Sequence, residues 1–184
     1  MTDMTMAQKI IQARLGGKTE RCHNIPHLGS YSDAAHSWGV AILMWHLWPE
    51  DFPRLAIYCL SHDVPEGWVG DIPAPTLRYV PGVAAALKPI EGNLNRAIGL
   101  PGEDELNEVD LAKLKACDRL DFYLWAREQF AFGNTFVQQS IIELERFFKE
   151  TPLPPEAQKL FGEFLQNDIR PIGAGVMKEA AKQL

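Results

Sequence analysis

Apolar positions along the 184-residue chain recur mostly at three- and four-residue spacing, the period of amphipathic helices. Met6, Ile10, Ile11 and Arg14 to Leu15 predict a first helix. Ser32 reads as the N-cap of a second, with His36, Val40, Leu43 and Leu47 on one side and Pro49 closing it. Pro53 opens a third, over 55–62. The stretch 63–75 is punctuated by Gly and Pro and predicts a short turn or helix followed by a loop. Residues 83–98 read as a helix with a break at Pro89. The longest periodic stretch is 104–132, with Leu106, Val109, Leu114, Cys117, Leu120, Leu124 and Phe130 in its stripe, and Gly133-Asn134 ends it. Helices over 136–149 and 155–165 follow, and 176–184 adds a terminal one. No alternating strand of useful length interrupts this pattern, so the expected class is all-α, a helical bundle.

The length suits one domain over 1–184. At 46% hydrophobic and 23% charged residues, the chain has the composition of an ordinary globular protein. No uninterrupted apolar run reaches the length of a membrane span, and the first residues lack the apolar core of a signal peptide. Cys22, Cys59 and Cys117 are odd in number and far apart, which fits free thiols in a reducing cytoplasm. The net charge of −6, without a block of like charges, argues against a nucleic-acid partner, because such binding needs a basic face. A small anionic substrate would have to be held by a few local cations. The five tryptophans read mostly as core by helical spacing, with Trp68 alone near the candidate site.

All five histidines lie within the first 62 residues. His36 sits early on the second predicted helix, and His62-Asp63 ends the third. Asp118 lies in the middle of the longest one, where an unpaired buried carboxylate would be costly. Two imidazoles and two carboxylates suit a divalent ion of borderline hardness, such as Mn, Fe, Co, Ni or Zn. Each feature alone has a plainer reading: His36 satisfied by a backbone carbonyl, a doublet arising by chance, Asp118 paired with Lys115 or Arg119. Cysteine ligation through Cys59 or Cys117 is the competing metal reading. Neighbours on a helix point about 100° apart, so Cys117 and Asp118 should not share an ion.

The order H…HD…D resembles the HD superfamily of metal-dependent phosphohydrolases. Within it the chain is most similar to the bacterial 5′-deoxynucleotidases of the YfbR type and the short phage-encoded dATP triphosphohydrolases. The resemblance covers roughly residues 5–150. Its most specific part is His62-Asp63, then Glu66, then Gly70-Asp71-Ile72-Pro73-Ala74-Pro75; a second is Arg21, fifteen residues before His36. The resemblance implies an HD-type helical fold and one divalent ion (Co, Mn, Zn, Ni, Fe or Mg) held by His36, His62, Asp63 and Asp118. It also implies Glu66 and Asp71 as the acid/base pair, Arg21 as a phosphate clamp, and a homo-oligomer. No His follows Asp63, so the two-metal and His-dependent variants of the superfamily are not expected.

The chain also departs from these relatives. Ala35 stands where they often have Glu. Cys22 follows Arg21 where the deoxynucleotidases carry a Trp thought to press on the sugar. One inserted residue aligns Arg78 with their phosphate-binding Lys. Pro75 and His23 complete the candidate substrate contacts, while His27 and His46 read as structural. The implied activity is hydrolysis of the 5′ P–O bond of a deoxynucleotide, with dATP triphosphohydrolase favoured and 5′-deoxynucleotidase as the alternative. Arg21, His23, Arg78, Lys88 and Lys115 are the candidate cations for further phosphates. A non-catalytic nucleotide-sensing module is the reading from a different class; the intact ligand set and carboxylate pair argue against it. Nucleic acid and membrane are not expected partners, and the expected location is the cytoplasm (that of a host, if the chain is phage-encoded).

Overall fold

The first helix, α1 (Met6–Gly16), starts at Thr5, whose side chain and backbone exchange hydrogen bonds with Gln8 in a capping box. The computed structural model describes residues 4–167 and 181–182, so the terminal helix expected over 176–184 falls almost entirely outside the described residues. α1 forms where the periodicity predicts it, yet Met6, Ile10, Ile11 and Leu15 on it are exposed rather than core.

The centre of the molecule is α2 (Asp33–Leu47), packed against α3 (Phe52–Ser61) and α7 (Glu108–Ala131). Ser32 caps α2 by accepting from the Ala35 amide. Val40, Leu43 and Met44 of α2 meet Leu55 and Cys59 of α3 and Leu114, Cys117 and Leu120 of α7. Each fully buried aliphatic side chain of this kind is worth about 1.5–3 kcal/mol. α8 (Gln138–Glu150) and α9 (Pro155–Gln166) close the core with Phe148 and Phe161, which meet the Tyr123 ring of α7 edge-on. Among the described residues there is no strand, only a lone antiparallel bridge between Glu20 and Ser32.

Several expectations are corrected. The short helix and loop expected after Asp63 are present, as α4 (Glu66–Val69) and residues 70–73, but a further helix not expected from the sequence, α5 (Ala74–Tyr79), follows them. α6 (Pro81–Ala97) runs through Pro89 without a break. Pro89 and Ala85 are both exposed, so the carbonyl that loses its partner can turn to water. The long helix is shorter than expected. Glu103–Glu105 form a separate 3-10 turn, and Asn107 caps α7 through the Asp110 amide. Val109 and Phe130 sit in its first and last turns and are exposed, because this 24-residue helix outruns the core at both ends. Only Trp48 and Trp125 are core tryptophans; Trp38, Trp45 and Trp68 are exposed. No helix among the described residues is long and apolar enough to cross a membrane.

Candidate metal centre and cleft

Three central helices each deliver part of the site. His36 comes from the first turns of α2, His62 and Asp63 from the C-terminal end of α3, and Asp118 from the middle of α7. His36 Nε2 lies 3.2 Å from Asp118 Oδ1 and 3.4 Å from Asp63 Oδ2. His62 Nε2 lies 3.3 Å from Asp63 Oδ2 and 3.4 Å from His36 Nε2. Ligand atoms about 2.1 Å from a shared ion stand about 3.0–3.4 Å apart, so these separations fit the edges of a coordination polyhedron. Both Nδ1 atoms are engaged elsewhere: His62 Nδ1 is 3.0 Å from the Cys59 carbonyl, and His36 Nδ1 is 2.7 Å from Asp121 Oδ2. Each Nε2 is thereby left to face the same point. His36, His62 and Asp118 form a group with the geometry to hold a metal ion. The thiols of Cys59 and Cys117 stay buried outside that group.

The charges around the two imidazoles favour a cation. Burial opposes charge on His36, but hydrogen bonds to Asp118 and Asp121 outweigh it and raise its pKa to about 9. Asp118 is held far below the usual carboxylate range: burial opposes this, and His36 and Lys115 overcome it.

Asp63 also belongs to a second cluster, with Asp33 and Glu66, around the Arg21 guanidinium. Arg21 donates to Asp63 and to Asp33, the latter at 3.2 Å, and lies 3.8 Å from Glu66. Its place is set by backbone pairing: the Arg21 amide donates to the Tyr31 carbonyl at 2.9 Å, folding the preceding loop back on the start of α2. Burial and the Asp63 charge push Glu66 up to about 10. Its turn is pinned by close approach of backbones, because a Cβ on Gly67 would meet Gly16 Cα at 2.9 Å. Gly70, at φ 81°, then swings the chain so that Asp71 returns to accept from the Cys22 amide at 2.7 Å.

A cleft of about 530 Å³ opens over this centre, within the range of small-ligand sites. Arg21, Cys22, Asp71, Pro75 and Arg78 all line it, as do Glu66, His62, Asp63 and Asp118. Phe122 and Phe147 give it an aromatic wall, and Lys88 and Lys115 stand among the carboxylates Glu91 and Glu103. Other residues are placed differently from expectation. His23 and Trp68 are not among the cleft-lining residues; His23 lies 3.5 Å from Asp71 with its ring half exposed. Arg78 is held at 2.9 Å by Glu143, and Lys115 at 2.6 Å by Glu103. His27 has a structural place, against the Ile25 carbonyl and the Trp125 ring.

Two site residues escaped the sequence reading. Asp33 looks like an ordinary acidic residue at a helix start, but it is buried beneath Arg21. Asp121 follows Asp118 by three positions, hence on the same helix face. That spacing was the available signal.

No protein-family model matches the chain. A curated relative, a dATP triphosphohydrolase of Salmonella phage PMBT28, is 28% identical over 115 residues, 55% of this chain and 55% of the relative. The chain thus spans about half the length of the curated relative it matches. Among solved structures, the Cyanophage S-2L HD phosphohydrolase DatZ, bound to dA and one catalytic Zn2+ ion, superposes with a TM-score of 0.62 at 17% identity, covering 85% of this chain and 94% of that one. The PH0347 protein from Pyrococcus horikoshii OT3 superposes with a TM-score of 0.65 at 20% identity, covering 85% and 96%. Four segments far apart in sequence (Arg21, His36, His62-Asp63 and Asp118) converge within that shared architecture, and the chain has the helical fold of the HD phosphohydrolases.

Proposed function

We propose that this chain is a metal-dependent phosphohydrolase that cleaves the 5′ P–O bond of a deoxynucleotide, with dATP favoured and deoxynucleoside plus triphosphate as products. The observation that carries the reading is the set of His and Asp atoms 3.2–3.4 Å apart at the floor of a nucleotide-sized cleft. His36, His62, Asp63 and Asp118 would hold one divalent ion. When bound, such an ion polarises a phosphoryl oxygen and lowers the pKa of water.

The remaining groups have distinct tasks in this reading. Asp71 accepts the proton of the attacking water as its oxygen bonds to phosphorus. Glu66, whose pKa is raised by burial and the Asp63 charge, acts as the general acid and gives a proton to the leaving 5′-oxygen as the P–O bond breaks. Arg21 clamps the α-phosphate, for which its planar fork is suited. Cys22, Pro75, Phe122 and Phe147 offer the sugar and base a mostly apolar wall. The curated relative and the dA-bound neighbour support an adenine deoxynucleotide. Lys88, Lys115 and Arg78 support a substrate with more than one phosphate, since they add cations beyond Arg21. A 5′-deoxynucleotidase acting on dNMP is the second reading, favoured by the pairing of Arg78 with Glu143 and Lys115 with Glu103.

Incubation with Zn, Co, Mn or Mg and each dNMP and dNTP, followed by anion-exchange separation, tests the proposal. Deoxyadenosine and intact triphosphate from dATP are expected. Release of phosphate from dAMP alone selects the second reading, and no turnover with any substrate refutes both.

We infer also that the chain works in the cytoplasm as a homo-oligomer, joined through the outer faces of α2 and α3. No Asp, Glu, Lys or Arg occurs from residue 34 to 49, and Trp38, Ile42 and Trp45 are exposed there at helical spacing, as are Ile57 and Leu60 on the neighbouring α3. Exposed large apolar side chains grouped in this way mark interaction sites. A charge-free, Trp-bearing face matches the core of a homodimer interface, so the occupant is a second copy.

A further inference from the structure

We infer that Asp121 is a positioning residue of the metal centre, acting through His36, and that Tyr31 and Gly39 exist at their positions to hold it there. The inference rests on the metal-binding reading above. His36 is completely buried, and the two carboxylates of one α7 face take its two nitrogens: Asp118 faces Nε2 at 3.2 Å and Asp121 faces Nδ1 at 2.7 Å. Asp118 is a ligand candidate. Asp121 lies on the far side of the ring and cannot reach the same ion through that nitrogen. Its effect is to take the Nδ1 proton as a hydrogen-bond acceptor, which fixes the tautomer and leaves the Nε2 lone pair for the metal.

Two neighbours give Asp121 a single orientation. Tyr31 donates its hydroxyl to the same oxygen, Oδ2, at 2.9 Å. The Tyr31 ring is stacked on Trp125 with centroids 4.6 Å apart, so the hydroxyl is itself braced. The other oxygen, Oδ1, fills the space beside Gly39, one helical turn after His36; a Cβ there would stand 1.7 Å from it. An L side chain at position 39 would force this carboxylate out of its place. His62 has a weaker counterpart, since its Nδ1 meets only the neutral Cys59 carbonyl. An anionic acceptor raises ligand basicity more than a carbonyl does, which makes His36 the stronger of the two imidazole ligands.

The test compares wild type with Asp121→Asn, which keeps shape and removes charge. Zn affinity is measured by chelator competition and Co(II) geometry by its visible spectrum, with the melting temperature of the metal-free protein as control. A 10- to 100-fold loss of affinity with an altered Co(II) spectrum is expected. Gly39→Ala should reproduce the loss by displacing the carboxylate, and Tyr31→Phe should show a smaller one. Affinity within about twofold of wild type, or a fall in melting temperature with unchanged affinity, overturns the inference. Should Asp121→Asn fail to fold, Tyr31→Phe decides, because it keeps the ring stack and removes one hydroxyl; unchanged affinity and spectrum then overturn it. A wild-type chain that binds no metal overturns the metal reading and this inference together, whereas wild-type binding with an indifferent Asp121→Asn overturns this inference alone.

Discussion

Arg21 donates to Asp63 Oδ2, the same oxygen that stands 3.3–3.4 Å from both imidazole Nε2 atoms. One carboxylate oxygen thus serves the candidate ion and the candidate phosphate clamp at once. Whatever occupies the centre is felt by Arg21 through a shared atom. Loss of Arg21 should therefore act on the reacting centre and lower kcat more than it raises KM. Steady-state kinetics of Arg21→Ala on dATP check this; a pure KM effect would remove Arg21 from the α-phosphate.

Elemental analysis of purified protein should give close to one transition-metal ion per chain. Asp118→Ala should lose most of it, since one of the two neutralising charges is gone. Chelation should abolish turnover, and added Zn or Co should restore it. Two ions per chain would refute the single-site assignment.

Glu66→Gln and Asp71→Asn should each retain the metal and slow turnover by about 10²–10⁴-fold, the usual worth of a general acid or base. Glu66 lies against Arg21 and Asp71 accepts from the Cys22 amide, whereas the atoms 3.2–3.4 Å apart at the centre belong to His36, His62, Asp63 and Asp118. Near-normal rates for one variant, with metal content unchanged, would take that residue out of proton transfer.

Arg78 and Glu143 span the cleft between α5 and α8. If Arg78 binds outer phosphates, Arg78→Ala should raise KM for dATP and leave dAMP nearly unaffected, the mark of uniform binding. Glu143→Gln should then lower KM for dATP by freeing the guanidinium. If the pair is only a strut, both variants should disturb dATP and dAMP alike.

Trp38→Glu should convert the assembly to the 20.7 kDa monomer, read by light scattering during size exclusion. Far-UV circular dichroism should stay unchanged, because Trp38 is two-thirds exposed. A wild type that is already monomeric at micromolar concentration would refute the second copy on α2 and α3.

The sequence by itself determined the helices and the identity of the candidate ligands. Local signals carried that much: Ser32 before α2, the Gly and Pro residues after Asp63, the apolar spacing of Leu114, Cys117 and Leu120, and the H…HD…D order. Periodicity could not say which apolar residues find a partner, so Ile10, Trp38 and Val109 read as core and are exposed. It also misjudged Pro89, whose cost depends on whether the orphaned carbonyl meets water. Tertiary structure alone decided how charges are spent, because that depends on distances between residues far apart in the chain. Asp33 faces Arg21 across 12 positions, Arg78 faces Glu143 across 65 and Asp121 faces His36 across 85. A carboxylate on a helix reads the same in sequence whether it meets water, a guanidinium or an imidazole; only the packing of α7 against α2 made Asp121 a neighbour of His36.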